Sequence, residues 1–180
     1  PLDSPSITNV KNVAYNTLQV EWAIVNGASG YQVYRSEQAD GEYTLVSDIT
    51  DSMAMSYMDA TCECGKVYYY YIRVSQKTDH ETIYGTASDI ASGKTTPNKT
   101  ILNGMTSDSD TKVTLTWGKV PGAQGYEVYK NNQLVQTLEG ADALTWEEAG
   151  LDKEAENSYK VRGYCVVNGQ KLFGLFSSTY

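Results

Sequence analysis

Residues 22–35, Trp-Ala-Ile-Val-Asn-Gly-Ala-Ser-Gly-Tyr-Gln-Val-Tyr-Arg, return as residues 117–130, Trp-Gly-Lys-Val-Pro-Gly-Ala-Gln-Gly-Tyr-Glu-Val-Tyr-Lys. Every matched position is shifted by 95 residues, as Trp22 is to Trp117. A period of that length is a whole small domain rather than a solenoid unit, so the chain reads as two copies of one fold. Later motifs repeat with a shift of 89: Ser56-Tyr57-Met58-Asp59 answers to Thr145-Trp146-Glu147-Glu148, and Tyr70-Tyr71-Ile72-Arg73 to Tyr159-Lys160-Val161-Arg162. Tyr84-Gly85 likewise answers to Phe173-Gly174. The second copy is therefore six residues shorter between Arg35 and Ser56, where the first carries a polar stretch from Ser36 to Tyr43. Length variation between intact motifs marks a surface connection, where insertions cost little.

A split near Thr95-Thr96-Pro97-Asn98 gives domains at 1–96 and 97–180, each long enough for a core of its own without obligatory disulfides or metal. Pro97 holds Thr96 extended, and the short polar junction predicts a semi-rigid tandem. Residues 1–96 carry six Lys/Arg against twelve Asp/Glu, and residues 97–180 eight against ten, within a net charge of −8. Neither half has a basic patch, which argues against nucleic acid and anionic membrane as partners. No apolar run has the length of a membrane span and no signal-peptide pattern opens the chain. Because Pro1 is no initiator methionine, a piece of a longer polypeptide is expected. Three cysteines are too few for a disulfide scaffold. Cys62 and Cys64 stand beside no histidine, whereas zinc takes about four N/S ligands, so a plain loop is expected there.

Strand signals dominate. Leu18-Gln-Val20-Glu-Trp22 and Val113-Thr-Leu115-Thr-Trp117 alternate apolar and polar, as do Tyr31-Gln-Val33, Tyr126-Glu-Val128, Tyr70-Tyr-Ile72-Arg-Val74 and Tyr159-Lys-Val161. Asn168-Gly169 reads as a two-residue hairpin with both residues at positive φ, and Asp40-Gly41 as a turn of similar use. Roughly seven short strands per copy, with turns every 8–12 residues, describe an all-β antiparallel sandwich. The inward-facing set is Trp22, Tyr31, Val33, Tyr70 and Ile72 in the first copy and Trp117, Tyr126, Val128, Tyr159 and Val161 in the second. Each Trp is expected against the first Tyr of the Gly-Tyr-x-Val strand, and Trp146 in the space that Tyr57 fills.

The second-strand Trp, the Tyr-x-Val third strand and the Tyr-x-Ile/Val sixth strand, in this order in both copies, resemble the fibronectin type III family over nearly the whole chain. The resemblance implies two tandem immunoglobulin-like sandwiches and makes Tyr70 and Tyr159 corner tyrosines whose hydroxyls tie back to the preceding loop. The wording Gly-Ala-x-Gly-Tyr-x-Val-Tyr-Arg/Lys is similar to modules of secreted and surface proteins of Gram-positive bacteria, which accompany glycoside hydrolases and adhesins. That family's Arg-Gly-Asp tripeptide is absent; the nearest match is Arg162-Gly163-Tyr164, in a strand.

Catalysis is not expected. A nucleophilic triad needs a histidine in reach, and the single histidine, His80, lies in a polar turn. Glu147-Glu148 reads as a solvated strand edge, since acid/base work on sugars requires carboxylates flanking a cleft about 5–10 Å across. Ser107-Asp108-Ser109-Asp110 reads as a turn, offering too few oxygens for calcium. No cofactor or metal is expected. The candidate binding face is Gln32, Tyr34, Tyr69, Tyr71 and Arg73, an exposed aromatic stripe in the first domain that suits sugar rings or protein surfaces. Tyr129, Lys160, Arg162 and Tyr164 make a weaker copy in the second. The expectation is a monomeric, non-catalytic spacer and interaction module of a secreted or cell-surface bacterial protein. Its partners would be neighbouring domains of the same polypeptide. The alternative is an adhesion module recognising polysaccharide, cell wall or host protein through the tyrosine face.

Overall fold

The computed structural model describes residues 2–180, together with every side chain among them except that of Asp108. All regular structure is β, in two compact units, Pro1–Thr95 and Thr96–Tyr180. In unit 1 the strands are β1 (Ile7–Ala14), β2 (Thr17–Trp22), β3 (Gly30–Ser36), β4 (Thr44–Ile49), β5 (Ser56–Asp59), β6 (Val67–Lys77), β7 (Thr82–Tyr84) and β8 (Ala91–Lys94). One sheet has the order β1-β2-β5 and the other β4-β3-β6-β7, with β8 also paired to β6. Unit 2 repeats this with β9 (Leu102–Ser109), β10 (Lys112–Trp117), β11 (Gly125–Lys130), β12 (Gln133–Glu139), β13 (Thr145–Ala149), β14 (Tyr159–Val167) and β15 (Gln170–Phe173). Its sheets run β13-β10-β9 and β12-β11-β14-β15, all pairings antiparallel. The final segment also joins β14, by reciprocal backbone hydrogen bonds between Tyr159 and Tyr180.

Alternation decides which face each strand buries. Leu18, Val20 and Trp22 point into the first core with Tyr31, Val33, Tyr68, Tyr70, Ile72 and Val74. Val113, Leu115, Trp117, Tyr126, Val128, Tyr159 and Val161 fill the second. Trp22 lies 5.3 Å from the Tyr31 ring and Trp117 5.5 Å from that of Tyr126, both tilted. Each of those tyrosines accepts a hydrogen bond from a backbone N–H, Val25 N at 3.0 Å and Val120 N at 3.1 Å. Trp146 and Tyr57 lie opposite Leu115 and Val20, and both pack on the cores.

The motif glycine ahead of each core tyrosine has a steric cause. A Cβ on Gly30 would come within 2.0 Å of the Ile49 carbonyl oxygen, and one on Gly125 within 2.5 Å of that of Leu138. The adjacent strand passes too close for any side chain. Gly30→Ala or Gly125→Ala is therefore expected to part β3 from β4, or β11 from β12. The expected loss is about 2–3 kcal/mol in the affected unit, read from chemical denaturation.

Turns account for the length difference. Asn168 and Gly169 take φ of 51° and 77°, the doubly positive hairpin expected of that pair. The β11–β12 connection is equally tight, with Asn131 and Asn132 at φ 49° and 66°. Asparagine is among the few residues that visit the left-handed region, and Asn131 is held there from outside its own turn, its Oδ1 accepting from Ser158 N at 2.9 Å. Unit 1 spans the same gap with residues 37–43. Asp40-Gly41 is no two-residue hairpin, since Gly41 is not at positive φ and closes a small turn onto the Gln38 carbonyl.

Candidate functional site

On the outer side of the larger sheet of unit 1, Tyr69, Tyr71 and Arg73 of β6 face away from the core, opposite Ser36, Tyr34 and Gln32 of β3. The Tyr34 and Tyr71 rings stack at 4.7 Å and 16°, and Tyr43, from the long connection, tilts over Tyr71 at 5.0 Å. Burial, with Tyr34 beside it, pushes the Tyr71 phenol above its ordinary value; burial, with Tyr69 and Tyr71 beside it, does the same to Tyr43. This corrects the expected exposed stripe. Tyr34, Tyr69, Tyr71 and Arg73 are half-buried by one another and their neighbours, and Gln32 is buried. Its amide explains why: Gln32 Nε2 donates to Asp48 Oδ2 at 3.3 Å, and Gln32 Oε1 accepts from the Tyr34 hydroxyl at 3.0 Å. Arg73 lies 5.3 Å over the Tyr84 ring and donates through Nε to the Gly85 carbonyl.

Unit 2 builds the same face around a charge. Glu127, in the place of Gln32, is buried and accepts from Arg162 Nη2 at 2.8 Å, Arg162 Nε at 3.1 Å and Lys171 Nζ at 3.2 Å. The Arg162 guanidinium also lies 3.6 Å from the Phe173 ring centroid and 4.8 Å from that of Phe176. Tyr164, expected on an open face beside Tyr129, Lys160 and Arg162, is instead buried against β11.

The corner tyrosines anchor polar clusters that sequence reading missed. Tyr70 donates its hydroxyl to Asp59 Oδ2 at 2.8 Å, an oxygen that also takes Arg35 Nη1 at 2.8 Å. Thr61 supplies its backbone N–H and hydroxyl to Asp59 Oδ1, at 3.1 and 2.7 Å. In unit 2, Tyr159 donates to Glu148 Oε2 at 2.6 Å and Lys130 to Glu148 Oε1 at 2.9 Å. Glu148 is thus half-buried rather than a solvated edge, whereas Glu147 takes a surface pair with Lys112. The signal was present in the repeat: Arg35/Lys130 and Asp59/Glu148 keep opposite charges at the offsets of the core motifs.

These clusters set the pH limits. Burial alone would raise the Asp59 pKa, but the hydrogen bonds from Thr61, Arg35 and Tyr70 outweigh it and hold the carboxyl below its ordinary value. Its contribution is therefore full above the unfolded carboxyl pKa and is lost as pH falls below about 4. Burial, reinforced by Asp59 and Cys62 for Tyr70 and by Glu148 for Tyr159, pushes both phenols far up. Their contribution is complete below the unfolded tyrosine pKa and lost as pH rises above about 10. Urea midpoints against pH are expected to form a plateau falling on both sides of these limits. Phenolate absorbance is expected to show Tyr70 and Tyr159 ionising only as their units unfold.

The remaining singled-out groups are dispersed. Cys62 is buried, its thiol raised by burial, and no disulfide forms among the described residues. His80 is exposed in the 78–81 turn, closed by Thr78 N donating to the Glu81 carbonyl. Ser107 and Ser109 lie in β9 rather than in a turn, and Asp110 pairs with Lys153. The side chain of Asp108, part of the calcium consideration, lies outside the described residues. Among the described residues no three His, Cys, Asp or Glu side chains group as metal ligands would.

No family model and no curated protein matches the sequence. Among solved structures, the chain is similar to a two-domain fibronectin type III segment of chicken tenascin, with a TM-score of 0.58 and 15% identity. That likeness covers 99% of this chain and 97% of the other. A Fn3-like protein from Clostridium thermocellum is similar at 25% identity and a TM-score of 0.42, over 53% of this chain and 92% of its own. Strand order, paired cores and the full-length likeness to the tenascin segment agree: the chain is two tandem β-sandwiches of the fibronectin type III fold.

Proposed function

We propose that the chain is a non-catalytic tandem module of a larger extracellular bacterial protein, serving as a spacer and interaction element for neighbouring catalytic or adhesive domains. The observation that carries this reading is the internal use of its reactive side chains. Asp59, Glu127 and Glu148 are each satisfied by cations and hydroxyls of their own unit. Asp59 and Glu148 sit at equivalent positions of both copies, which is the behaviour of scaffold rather than of a site special to one copy.

The Tyr34–Tyr71–Tyr43 stack favours a second reading, recognition of a glycan or host protein by this face. Rings already held by one another lose little freedom on binding. The two readings separate in a pull-down of the chain on insoluble polysaccharides, bacterial cell walls and matrix proteins, with Tyr69→Ala/Tyr71→Ala alongside. The spacer reading expects no saturable retention. Retention abolished by the double substitution, with melting still cooperative, would replace it by the recognition reading.

A further inference from the structure

Unit 1 has a surface pocket of about 420 Å³ lined by residues of β4 on one side of β3 and of β6 and β7 on the other. Ser29, Asp48, Thr50, Ser75, Lys77, Thr82 and Tyr84 line it. The second copy shows what this place accommodates. Ser75 lies opposite Gly30 and Tyr84 as Tyr164 lies opposite Gly125 and Phe173. Tyr164 therefore puts a six-membered ring into the counterpart space, 4% exposed, with its hydroxyl donating to the Leu138 carbonyl at 3.3 Å. Lys171 Nζ stands 4.4 Å over that ring and Phe173 meets it edge-on at 6.5 Å. Serine at position 75 leaves the ring-sized space open in unit 1.

We propose that this pocket binds one pyranose ring of a neutral glycan, with Tyr84 as the platform. The inference deepens the recognition reading above and rests on it, but moves the ligand from the tyrosine stack to the far end of the same sheet. A pyranose has an apolar C–H face and a rim of hydroxyls, and the pocket matches both. Tyr84 is 42% exposed, and its ring is backed by Arg73 at 5.3 Å. Asp48 is exposed, steadied by Gln32 Nε2 on Oδ2, and a carboxylate accepts from vicinal hydroxyls. Ser75, Thr50 and Thr82 add hydroxyls that donate or accept, and Lys77 adds a donor. Asp48 and Lys77 carry opposite charges, which selects against strongly anionic or cationic sugars. A few convergent polar groups beside an aromatic wall, in a pocket of this volume, are ordinary for small-ligand sites.

The test is a titration of the full chain, followed by amide NMR, with neutral hexasaccharides of glucose, xylose, mannose and N-acetylglucosamine. Two variants probe the pocket: Ser75→Tyr, which copies the second unit's filling, and Asp48→Ala, which removes an exposed side chain. Tyr43→Ala/Tyr71→Ala probes the stack without touching Tyr34, which holds the Gln32 amide beside Asp48. The expected result is shifts confined to residues 29, 48–50 and 75–84 with at least one sugar, weakened about tenfold or more by either pocket variant, a loss of about 1.4 kcal/mol. The stack variant should bind unchanged. Binding lost only in the stack variant would overturn the pocket and keep the recognition reading. No shift with any of the four sugars would overturn the pocket outright.

Discussion

Trp22→Ala is expected to destabilise unit 1 by about 3–5 kcal/mol while leaving unit 2 unchanged. The indole is 2% exposed, rests on Tyr31, and belongs to a core that shares no residue with the second. A domain of this size loses about 4–8 °C in Tm for each kcal/mol, so the transition of the first unit should fall by about 12–40 °C. Calorimetry of the variant should keep the transition of unit 2; loss of both would show that the units do not fold independently. Trp117→Ala should give the mirror result. Phenylalanine at either position is expected to cost much less than alanine. Neither indole N–H has a hydrogen-bond partner among the described residues, so that swap removes an unsatisfied donor along with the ring volume.

Asp59→Ala is expected to cost unit 1 about 2–4 kcal/mol, and Glu148→Ala to cost unit 2 about half as much. Removing one member of a buried pair leaves its partners desolvated, which is the expensive way to break such a cluster. Asp59 is 1% exposed and takes hydrogen bonds from Arg35, Tyr70 and Thr61. Glu148 and Lys130 are 24% and 21% exposed, so water softens their loss. Chemical denaturation of the two variants gives the comparison directly. Equal costs would mean that desolvation is not what distinguishes the clusters. Tyr70→Phe should recover part of the Asp59→Ala loss in the double variant, since the two side chains form one network.

The contacts of Asp59, Glu148, Tyr70 and Tyr159 lie within their own units, as scaffold contacts do. The outer face of unit 1, on which the proposed recognition rests, differs from that of unit 2. Gln32 replaces a buried Glu127, and Ser75 replaces Tyr164. In unit 2 the same surface is closed by Arg162, Phe173 and Phe176 packed on Glu127.

The repeat, the alternation of polar and apolar residues and the Asn168-Gly169 turn were enough to determine the class of fold, the two cores and the direction of most side chains. Those are local signals: a strand with one buried face must alternate, and two glycine-tolerant residues between such strands must turn. The Arg35–Asp59–Tyr70 cluster joins residues up to 35 positions apart, and the burial of Gln32 depends on Asp48 from another strand. Exposure of the tyrosine face, the Asn131-Asn132 hairpin and the open pocket at Ser75 were likewise settled only in three dimensions. Which side chains meet across a sheet depends on register and on the neighbours that cover them, and neither is written in the periodicity of one strand.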